Sequence, residues 1–335
     1  MIATTNGTPV SITALGWHVP DRVVTNDDLA KLVETSDEWI RERTGIRERR
    51  FAGEDEALSD VALPAARDAL DRAGVAPRDV DLLIVATVTP DMAFPSTAAI
   101  LADRLGATDA AAYDLSAGCT GFMYAIAQAS GMIGAGLSRT ALVVGADVLS
   151  KIVDMTDRST CVLFGDGAGA AVIEPARTEG FLGFELGADG AGGVDLTLPA
   201  GGSRLPSSAE TVAGGLHYVQ MNGRQVFKFA TRVLVSSAQA LLEKTGVAIE
   251  DVDVYVPHQA NVRIIDHAVA KLGIPKEKVV VNVDRYGNTS SASIPLALAE
   301  AVAGGRVHEG DAVLMTGMGA GLTWGSALLR WTAAS

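Results

Sequence analysis

Cysteine is scarce in this sequence, with only Cys119 and Cys161 among 335 residues. No short spacing pairs them, and the five histidines are scattered rather than set at metal-ligand distances from a cysteine. The pattern argues against a disulfide framework and against a zinc site, and it predicts a reducing, cytoplasmic compartment. We expect no metal and no cofactor.

Positive charge and long apolar runs are also lacking. Lys and Arg number 27 against 40 Asp and Glu, and the net charge of −13 disfavours nucleic acid as a partner. No apolar run approaches the roughly 20 residues that span a membrane. The opening "MIATTNGTPVSITALG" has no Lys or Arg, so we expect neither a basic leader nor a membrane segment.

What the chain has in abundance is hydrophobic residues, at 48%, and glycine, at 36 residues. Its length suffices for two domains or two fused halves. Sliding the sequence by 172 positions aligns "DRAGVAPRDVDLLIVA" with "EKTGVAIEDVDVYVPH", and "ALVVGAD" with "VLMTGMG". The same offset aligns the segment from Cys119 with the segment from Ser291.

One offset that serves three elements predicts a duplicated α/β unit, with halves at 1–175 and 176–335. The first half has extra residues between Ala146 and Gly165. An insertion at the end of a strand is a favourable place for a binding loop or a dimer contact.

Val80 to Thr89 and the run that ends at Leu115 are predicted to be buried strands. The stretch "YDLSAGCTGFMYAIAQA" sets Cys119 after the second of these strands, where a helix is predicted to begin. Phe122, Ile126 and Ala129 recur at helical spacing, and Gly118 allows a sharp turn before them. A thiol in a first helical turn lies near unpaired N–H groups, which favour the nucleophilic thiolate. The alternative is an inert buried cysteine.

The duplication predicts where a site would form, because ligands gather at the carboxyl ends of strands in α/β sheets. Cys119 lies there in the first half, and the second half offers His258 in "VPHQAN" and Asn288 in "YGNTSSAS". A pseudo-twofold axis would bring thiol, imidazole and amide together. Taken singly, the histidine could bond a backbone carbonyl and the asparagine could cap a helix or form a turn.

Several motifs together resemble one known family. "DLSAGCTGF", "FGDGAGAAVI", "VPHQANVRII", "YGNTSSASIPLAL" and "TWGSALLRW" are similar to those of β-ketoacyl-acyl carrier protein synthase III, within the thiolase superfamily. The resemblance covers nearly the whole chain. It implies an α/β fold, a thiolase-like five-layered αβαβα sandwich of two related halves, and a homodimer. It also implies condensation of an acyl-CoA primer, a substrate, with malonyl-acyl carrier protein to initiate fatty acid synthesis.

The resemblance also implies roles for individual residues. Cys119 is similar to the nucleophile that accepts the acyl group, while His258 and Asn288 are similar to the pair that holds the malonyl thioester carbonyl. The backbone N–H groups of Cys119 and Ala320 match the oxyanion hole. One oxyanion-hole donor is typically worth about 3 kcal/mol.

Further residues match substrate-binding positions in the family. Those matching the adenine site of CoA are Trp39, Arg43 and Arg158. Those matching the pantetheine channel are Gly223, Phe227 and Asn261. The candidates for docking the acidic carrier protein are Lys228, Arg232, Arg263 and Lys271, each of which could instead belong to an ordinary solvated helix face. Phe94 matches a residue that reaches the partner's acyl pocket, where a bulky ring indicates a short primer.

One departure and several alternatives remain. Met318 stands where many relatives have an aromatic residue beside the histidine. A degradative thiolase needs a second cysteine in the last Gly-rich loop, which "TGMGAGLTWG" lacks, and we expect Cys161 to be a core residue. Elongating ketosynthases have a second histidine where Asn288 stands. Polyketide and quinolone-type condensing enzymes share the Cys-His-Asn set, and a thiol sensor or binding scaffold is the non-enzymatic alternative.

Overall fold

A computed structural model describes residues 8–332. Two sheets form its framework. The first has the strand order β1 (Val10–His18), β7 (Asp166–Pro175), β6 (Ala141–Val148), β4 (Leu82–Ala86), β5 (Ala111–Leu115). The second has the order β8 (Phe181–Ala188), β13 (Thr323–Arg330), β12 (Ala312–Gly319), β11 (Val254–Pro257). Two small ribbons pair β2 (Arg22–Thr25) with β3 (Glu48–Phe51), and β9 (Leu196–Thr197) with β10 (Gln220–Met221).

Helices connect and cover these sheets. In chain order they are α1 (Asn26–Leu29), α2 (Asp37–Thr44), α3 (Leu58–Ala73), α4 (Thr97–Leu105), α5 (Gly121–Gly134), α6 (Arg158–Cys161), α7 (Ala209–Ala213), α8 (Gly223–Thr245), α9 (Val262–Leu272), α10 (Val283–Tyr286) and α11 (Ser293–Ala303). Within residues 8–332, no helix is both long enough and apolar enough to cross a membrane.

The order of the layers is explained by two helices that are apolar on all sides. Helices α5 and α11 read "GFMYAIAQASGMIG" and "SIPLALAEAVA", and helices hydrophobic all round become buried. They lie between the two sheets, where both contribute to one core with strands of each sheet. Helices α3 and α4 cover the outer face of the first sheet, and α8 packs on the outer face of the second. The result is the five-layered αβαβα sandwich.

The offset of 172 residues recurs in the structure. Gly121 begins α5 and Ser293 begins α11, while β4 begins at Leu82 and β11 at Val254. In each sheet, two antiparallel strands add to one side of the parallel pair β4–β6 or β11–β12, and in the first sheet the parallel strand β5 adds to the other side. The extra segment of the first half forms the connection from β6 to β7 and contains α6.

Two sequence-based boundaries are corrected. Helix α5 begins at Gly121 rather than at Cys119, which therefore lies just before the first turn. The strand expected from Val80 to Thr89 is limited to Leu82–Ala86. Its end is set by Asp147, whose carboxylate accepts from the hydroxyls of Thr87 and Thr89, each at 2.9 Å, so the chain leaves the ladder there.

Candidate active site

Cys119 is held in a loop that contacts both halves of the chain. The preceding Gly118 has φ +57, and a Cβ there would lie 2.6 Å from the carbonyl oxygen of Ala320, so only glycine fits without strain. The Ala117 carbonyl accepts from the hydroxyls of Thr120 at 2.6 Å and Thr323 at 2.9 Å. These contacts fix the cysteine against the loop that follows β12.

The thiol of Cys119 is less acidic than its position before a helix predicts. Burial raises its pKa to about 11, and the Asp147 carboxylate adds to the increase. The Ser290 hydroxyl and the N–H groups of Cys119 and Ala320 act in the opposite direction. The nearby N–H groups thus favour the thiolate as the sequence predicts, but desolvation outweighs them in the resting protein.

His258 directly follows the parallel strand β11 and is almost fully buried, at 1% exposure. Its backbone N–H donates to the Thr316 carbonyl at 2.8 Å, which fixes the main chain. Within the described residues, neither ring nitrogen has a hydrogen-bond partner. Burial lowers the pKa of the imidazole to about 4, so the ring is neutral at pH 7 and can donate from one nitrogen.

Asn288 presents its amide in one orientation. Its side-chain oxygen accepts a hydrogen bond from the Ser290 backbone N–H at 2.9 Å. Its backbone N–H donates to the Leu163 carbonyl at 2.8 Å. Because the oxygen is occupied, the NH₂ group is the part of the amide left to meet a ligand. Asn288 is therefore a donor, like His258.

Cys119 lies at the junction of two cavities. One, of about 100 Å³, is lined by Cys119, His258 and Asn288 together with the channel residues Gly223, Phe227 and Asn261. The other, of about 160 Å³, contains Cys119 and Ser290 and is otherwise mainly apolar, with lining residues that include Val88, Leu149, Ile152, Leu198 and Val219. The structure thus brings the three predicted residues together, with the polar groups of His258 and Asn288 in the cavity on one side of the thiol and a second, mainly apolar cavity on the other.

Trp39, Arg43 and Arg158 also converge. The guanidinium carbons of Arg43 and Arg158 lie 4.7 and 5.0 Å from the centre of the Trp39 ring. Trp39 is set by the Ser36 hydroxyl, which caps α2 by accepting the Trp39 N–H at 3.1 Å. Arg158 opens α6 in the inserted segment. An indole flanked by two cations suits a planar, anionic ligand such as a nucleotide.

Two of the four basic docking candidates lie beside the channel. Lys228 is exposed on α8, one residue after the channel residue Phe227. Arg263 is exposed in the first turn of α9, whose N-cap is the channel residue Asn261. Both charges therefore lie near the mouth of the cavity that contains His258.

The other two candidates lie farther away. Arg232 is one turn beyond Lys228 on α8, where it lines a shallow cavity that also contains Glu185 and Asp189. Lys271 is exposed in the last turn of α9, about 12 Å along the axis from Arg263. The carboxylates beside Arg232 reduce the positive field that it offers to a partner.

Phe94, Cys161 and Met318 have different environments. Phe94 is 85% exposed and lines neither cavity of this single chain. Cys161 is 1% exposed within an apolar cluster, as a core residue should be. Met318 is buried, packs with Phe229 and Leu322, and lines the cavity of His258. It fills the volume there but offers no ring face.

A larger groove, of about 580 Å³, lies elsewhere, between the β2–α1 segment and the inserted segment. Its lining includes Arg22, Leu32, Lys151 and Met155, but none of the residues predicted to be catalytic. Cavity volume therefore does not identify the functional site. The site is identified by the buried polar groups that surround the thiol of Cys119 in the smaller cavity.

Sequence reasoning missed three residues around the site. Asp147 accepts the Ser291 N–H at 3.0 Å and so connects β6 to the segment that carries Asn288. Gln259 donates to the carbonyls of Pro257 and Val280 and fixes the strand end at His258. Ser290 adopts φ +50. The run "GNTSSAS" marks a turn, but which of its serines faces the thiol depends on backbone angles that the letters do not specify.

Comparison with known proteins agrees with this geometry. The family model of 3-oxoacyl-[acyl-carrier-protein] synthase III matches residues 113–190, and the model of its C-terminal part matches residues 242–331. A β-ketoacyl-[acyl-carrier-protein] synthase III of Symbiobacterium thermophilum is 60% identical over 96% of this chain and 98% of its own.

Solved structures agree as well. That of β-ketoacyl-[acyl carrier protein] synthase III from Thermus thermophilus has a TM-score of 0.90 and 52% identity, covering 97% of this chain and all of its own. The priming β-ketosynthase of the R1128 polyketide pathway has a TM-score of 0.90 and 38% identity, covering 98% of both chains. With 60% identity over nearly its whole length and the thiolase-like fold, the chain belongs to the β-ketoacyl-[acyl-carrier-protein] synthase III family.

Proposed function

We propose that the protein condenses an acyl-CoA primer with malonyl-acyl carrier protein, with loss of CO₂, to give a β-ketoacyl-acyl carrier protein and so initiate fatty acid synthesis. The observation that carries this proposal is the arrangement around Cys119. A thiol joins an apolar cavity to a channel in which His258 has two ring nitrogens without a partner among the described residues and Asn288 presents its NH₂ group.

In the first half-reaction, the sulfur of Cys119 attacks the carbonyl carbon of acyl-CoA. The N–H groups of Cys119 and Ala320 meet the oxyanion, because both are already directed at the thiol region. The C–S bond to CoA breaks, and CoA leaves with the proton that Cys119 gave up. The acyl chain then occupies the apolar cavity.

In the second half-reaction, the malonyl thioester carbonyl lies between His258 and Asn288. Loss of CO₂ leaves an enolate on that oxygen, and two preset donors stabilise the charge in a site that excludes most water. His258 acts as a neutral donor because its pKa is lowered by burial. The enolate carbon then attacks the acyl-cysteine.

CoA is recognised by the group around Trp39. The adenine stacks on the indole, with Arg158 over it and Arg43 toward the phosphates, and the pantetheine arm passes Gly223, Phe227 and Asn261. The arginines beside the Trp39 ring support this assignment. The reaction proceeds without a cofactor, because every bond change uses the two thioesters and the cysteine.

Two partners follow from the same reasoning. Lys228 and Arg263, extended by Arg232 and Lys271, meet the acidic carrier protein. A second copy of the chain adds to the open edge of β5 and receives Phe94, whose exposure supports burial in a dimer. We place the enzyme in the cytoplasm, with its reduced cysteines, and the two halves at 1–175 and 176–335, since β7 ends at Pro175.

Purified protein offered a panel of straight and branched acyl-CoAs tests the proposal. Mass spectrometry should find one acyl group on the peptide of Cys119, and adding malonyl-carrier protein should release it as β-ketoacyl-carrier protein. Absence of acylation with every acyl-CoA would overturn the proposal. Acylation followed by transfer only to a polyketide carrier protein would support the polyketide alternative instead.

A further inference from the structure

Ser290 holds a backbone conformation that serine rarely adopts. Its φ is +50, and among residues 8–332 it is the one non-glycine residue with a positive φ. An L-residue in this region is strained by its own Cβ. Such strain persists where neighbouring contacts enforce it, and it concentrates at functional sites.

The contacts that enforce it are specific. The Ser290 N–H donates to the side-chain oxygen of Asn288 at 2.9 Å. The next residue, Ser291, donates its N–H to Asp147 at 3.0 Å and its hydroxyl to the Gly118 carbonyl at 3.1 Å. The backbone of Ser290 is thus held by Asn288 on one side and by Ser291 on the other. Ser291 also contacts Gly118, in the loop that contains Cys119.

The hydroxyl that this conformation presents is unpaired. Ser290 is 1% exposed, and its oxygen has no hydrogen-bond partner in the described chain. It lines the apolar cavity beside Gly118, Cys119 and Ala320. A buried hydroxyl without a partner is unfavourable, and proteins rarely retain one without a use.

The thiol of Cys119 needs such a donor. Of the titratable groups around it, Asp147 on β6 disfavours the thiolate, and His258 at the end of β11 is neutral. The groups that favour the thiolate are the backbone N–H groups of Cys119 and Ala320 and the Ser290 hydroxyl, which lies near the sulfur although it makes no hydrogen bond of normal geometry to the resting thiol. The two N–H groups are assigned to the oxyanion, which leaves the hydroxyl for the sulfur.

We propose that Ser290 is a catalytic residue whose hydroxyl donates a hydrogen bond to the sulfur of Cys119 whenever that sulfur carries negative charge. This inference rests on the proposed function for its place in the cycle. The charge arises twice: when the thiolate attacks acyl-CoA, and when the C–S bond of the acyl-cysteine breaks as the enolate carbon bonds the acyl carbon.

The proton of Ser290 stays on its oxygen throughout. In the first step the CoA sulfur receives the proton of Cys119, and after the second step the thiolate regains one from solvent. In the acyl-enzyme the sulfur is a thioester, a weak acceptor, so the hydroxyl is free to turn away.

Alkylation by iodoacetamide tests the inference without any acyl substrate. Rates at Cys119 are followed by peptide mass spectrometry from pH 7 to 10 in Ser290→Ala and Ser290→Gly. Glycine accepts the positive φ, so the second variant removes the hydroxyl and the strain together. Both should alkylate about tenfold more slowly at each pH, which corresponds to a thiol pKa about one unit higher.

Ser130→Ala is the matched control. Ser130 is also buried with an unpaired hydroxyl, but it lies on α5, more than two turns beyond Cys119. Its loss should leave the alkylation profile unchanged. Wild-type profiles in both Ser290 variants, or an equal shift in Ser130→Ala, would overturn the inference. If the proposed function fails instead, wild-type protein takes no acyl group while alkylation still depends on Ser290.

Discussion

The side chain of Asn261 donates to the backbone carbonyl of Arg43 at 3.0 Å, and this bond joins the start of α9 to the last turn of α2. The same side chain caps α9, because its oxygen accepts the Arg263 N–H at 2.8 Å. Asn261 also lines the channel. One residue therefore couples the proposed CoA helix, the channel and the helix that carries a docking cation.

Replacing Asn261 separates these roles. Asn261→Ala should destabilise the fold by about 1 kcal/mol through loss of the cap and should raise the KM for acyl-CoA several-fold. Asn261→Ser retains a capping oxygen but is too short to reach Arg43. It should keep most of the stability in urea unfolding and still show the higher KM. An unchanged KM in the serine variant would show that the bond to Arg43 does not position CoA.

The two cysteines should respond differently to substitution. Cys119→Ser should accumulate no acyl-enzyme from acyl-CoA, because a hydroxyl is a far weaker nucleophile than a thiol. Cys161→Ser should acylate nearly as the wild type does, since Cys161 is buried in an apolar cluster away from both cavities. Intact-protein mass spectrometry measures the acyl-enzyme that each variant accumulates. An acyl group on Cys161 would contradict the assignment.

Asn288 should matter mainly in the second half-reaction, where enolate charge develops. Asn288→Ala should still take up acyl groups, while decarboxylation of malonyl-carrier protein falls by about 10²–10³. Asn288→Asp keeps an acceptor for the Ser290 N–H but replaces the donor with a carboxylate, so it should lose decarboxylation at least as severely while the contact to Ser290 is retained. Measuring CO₂ release separately from acylation tests this. Lost acylation with normal decarboxylation would reverse the roles.

His258 should make stability depend on pH. Its pKa is lowered to about 4 in the folded protein, against 6.5 when unfolded, so between these values the unfolded chain binds more protons. The contribution of neutral His258 to the free energy of unfolding is fully present above pH 6.5. It decreases as the pH falls toward 4, by at most about 3 kcal/mol.

Urea unfolding at pH 5 and 7 measures this loss. His258→Gln should show a smaller difference between the two conditions than the wild type. The half-buried His18, whose pKa is also lowered by desolvation, contributes equally to both proteins. An equal pH dependence in wild type and variant would show that other groups cause it.

Arg263 should serve the carrier protein rather than CoA. Arg263→Glu should reduce kcat/KM for malonyl-carrier protein by about tenfold, or 1.4 kcal/mol, and leave acylation by free acyl-CoA nearly unchanged. The wild-type rate with carrier protein should also fall with added salt, since exposed charges are screened beyond about 10 Å at 0.1 M.

Arg78→Glu makes the same charge change elsewhere. Arg78 is 80% exposed and precedes β4, at the edge of the sheet opposite the strand ends that form the site. It should have little effect on either substrate. Equal losses in both variants would indicate a general charge effect, and equal losses with both substrates in Arg263→Glu would assign that residue to the channel or the fold.

The internal repeat in the sequence was sufficient to predict the two related halves of the fold. The 172-residue offset aligned the segments from Cys119 and Ser291 and predicted equivalent helices there, and these helices begin two residues later, at Gly121 and Ser293. It also predicted that Cys119, His258 and Asn288 would come together, and all three line one cavity. Such patterns are local and periodic, and duplication extends them across the chain. The resemblance assigned Arg158 to the same site as Trp39, and the structure brings its guanidinium carbon to 5.0 Å from the centre of the Trp39 ring.

Burial was harder to foresee. The position of Cys119 near a helix start predicted a lowered thiol pKa. Burial of the residue excludes solvent, however, and this desolvation raises the pKa. Ser290 and Asp147 act through contacts between segments about 140 residues apart along the chain, which no local pattern encodes. The unpaired nitrogens of His258 likewise depend on what surrounds the ring in three dimensions.

The position of Cys119 at the junction of two cavities also determines the order of events. With the acyl chain in the apolar cavity, as proposed above, both thioesters must reach the sulfur through the channel that contains His258. CoA must therefore leave before the malonyl arm enters. Steady-state rates should follow ping-pong kinetics, with parallel double-reciprocal lines. Because free CoA and malonyl-carrier protein compete for the same acylated enzyme, accumulated CoA slows the second substrate and couples the rate of initiation to the cell's ratio of acyl-CoA to CoA.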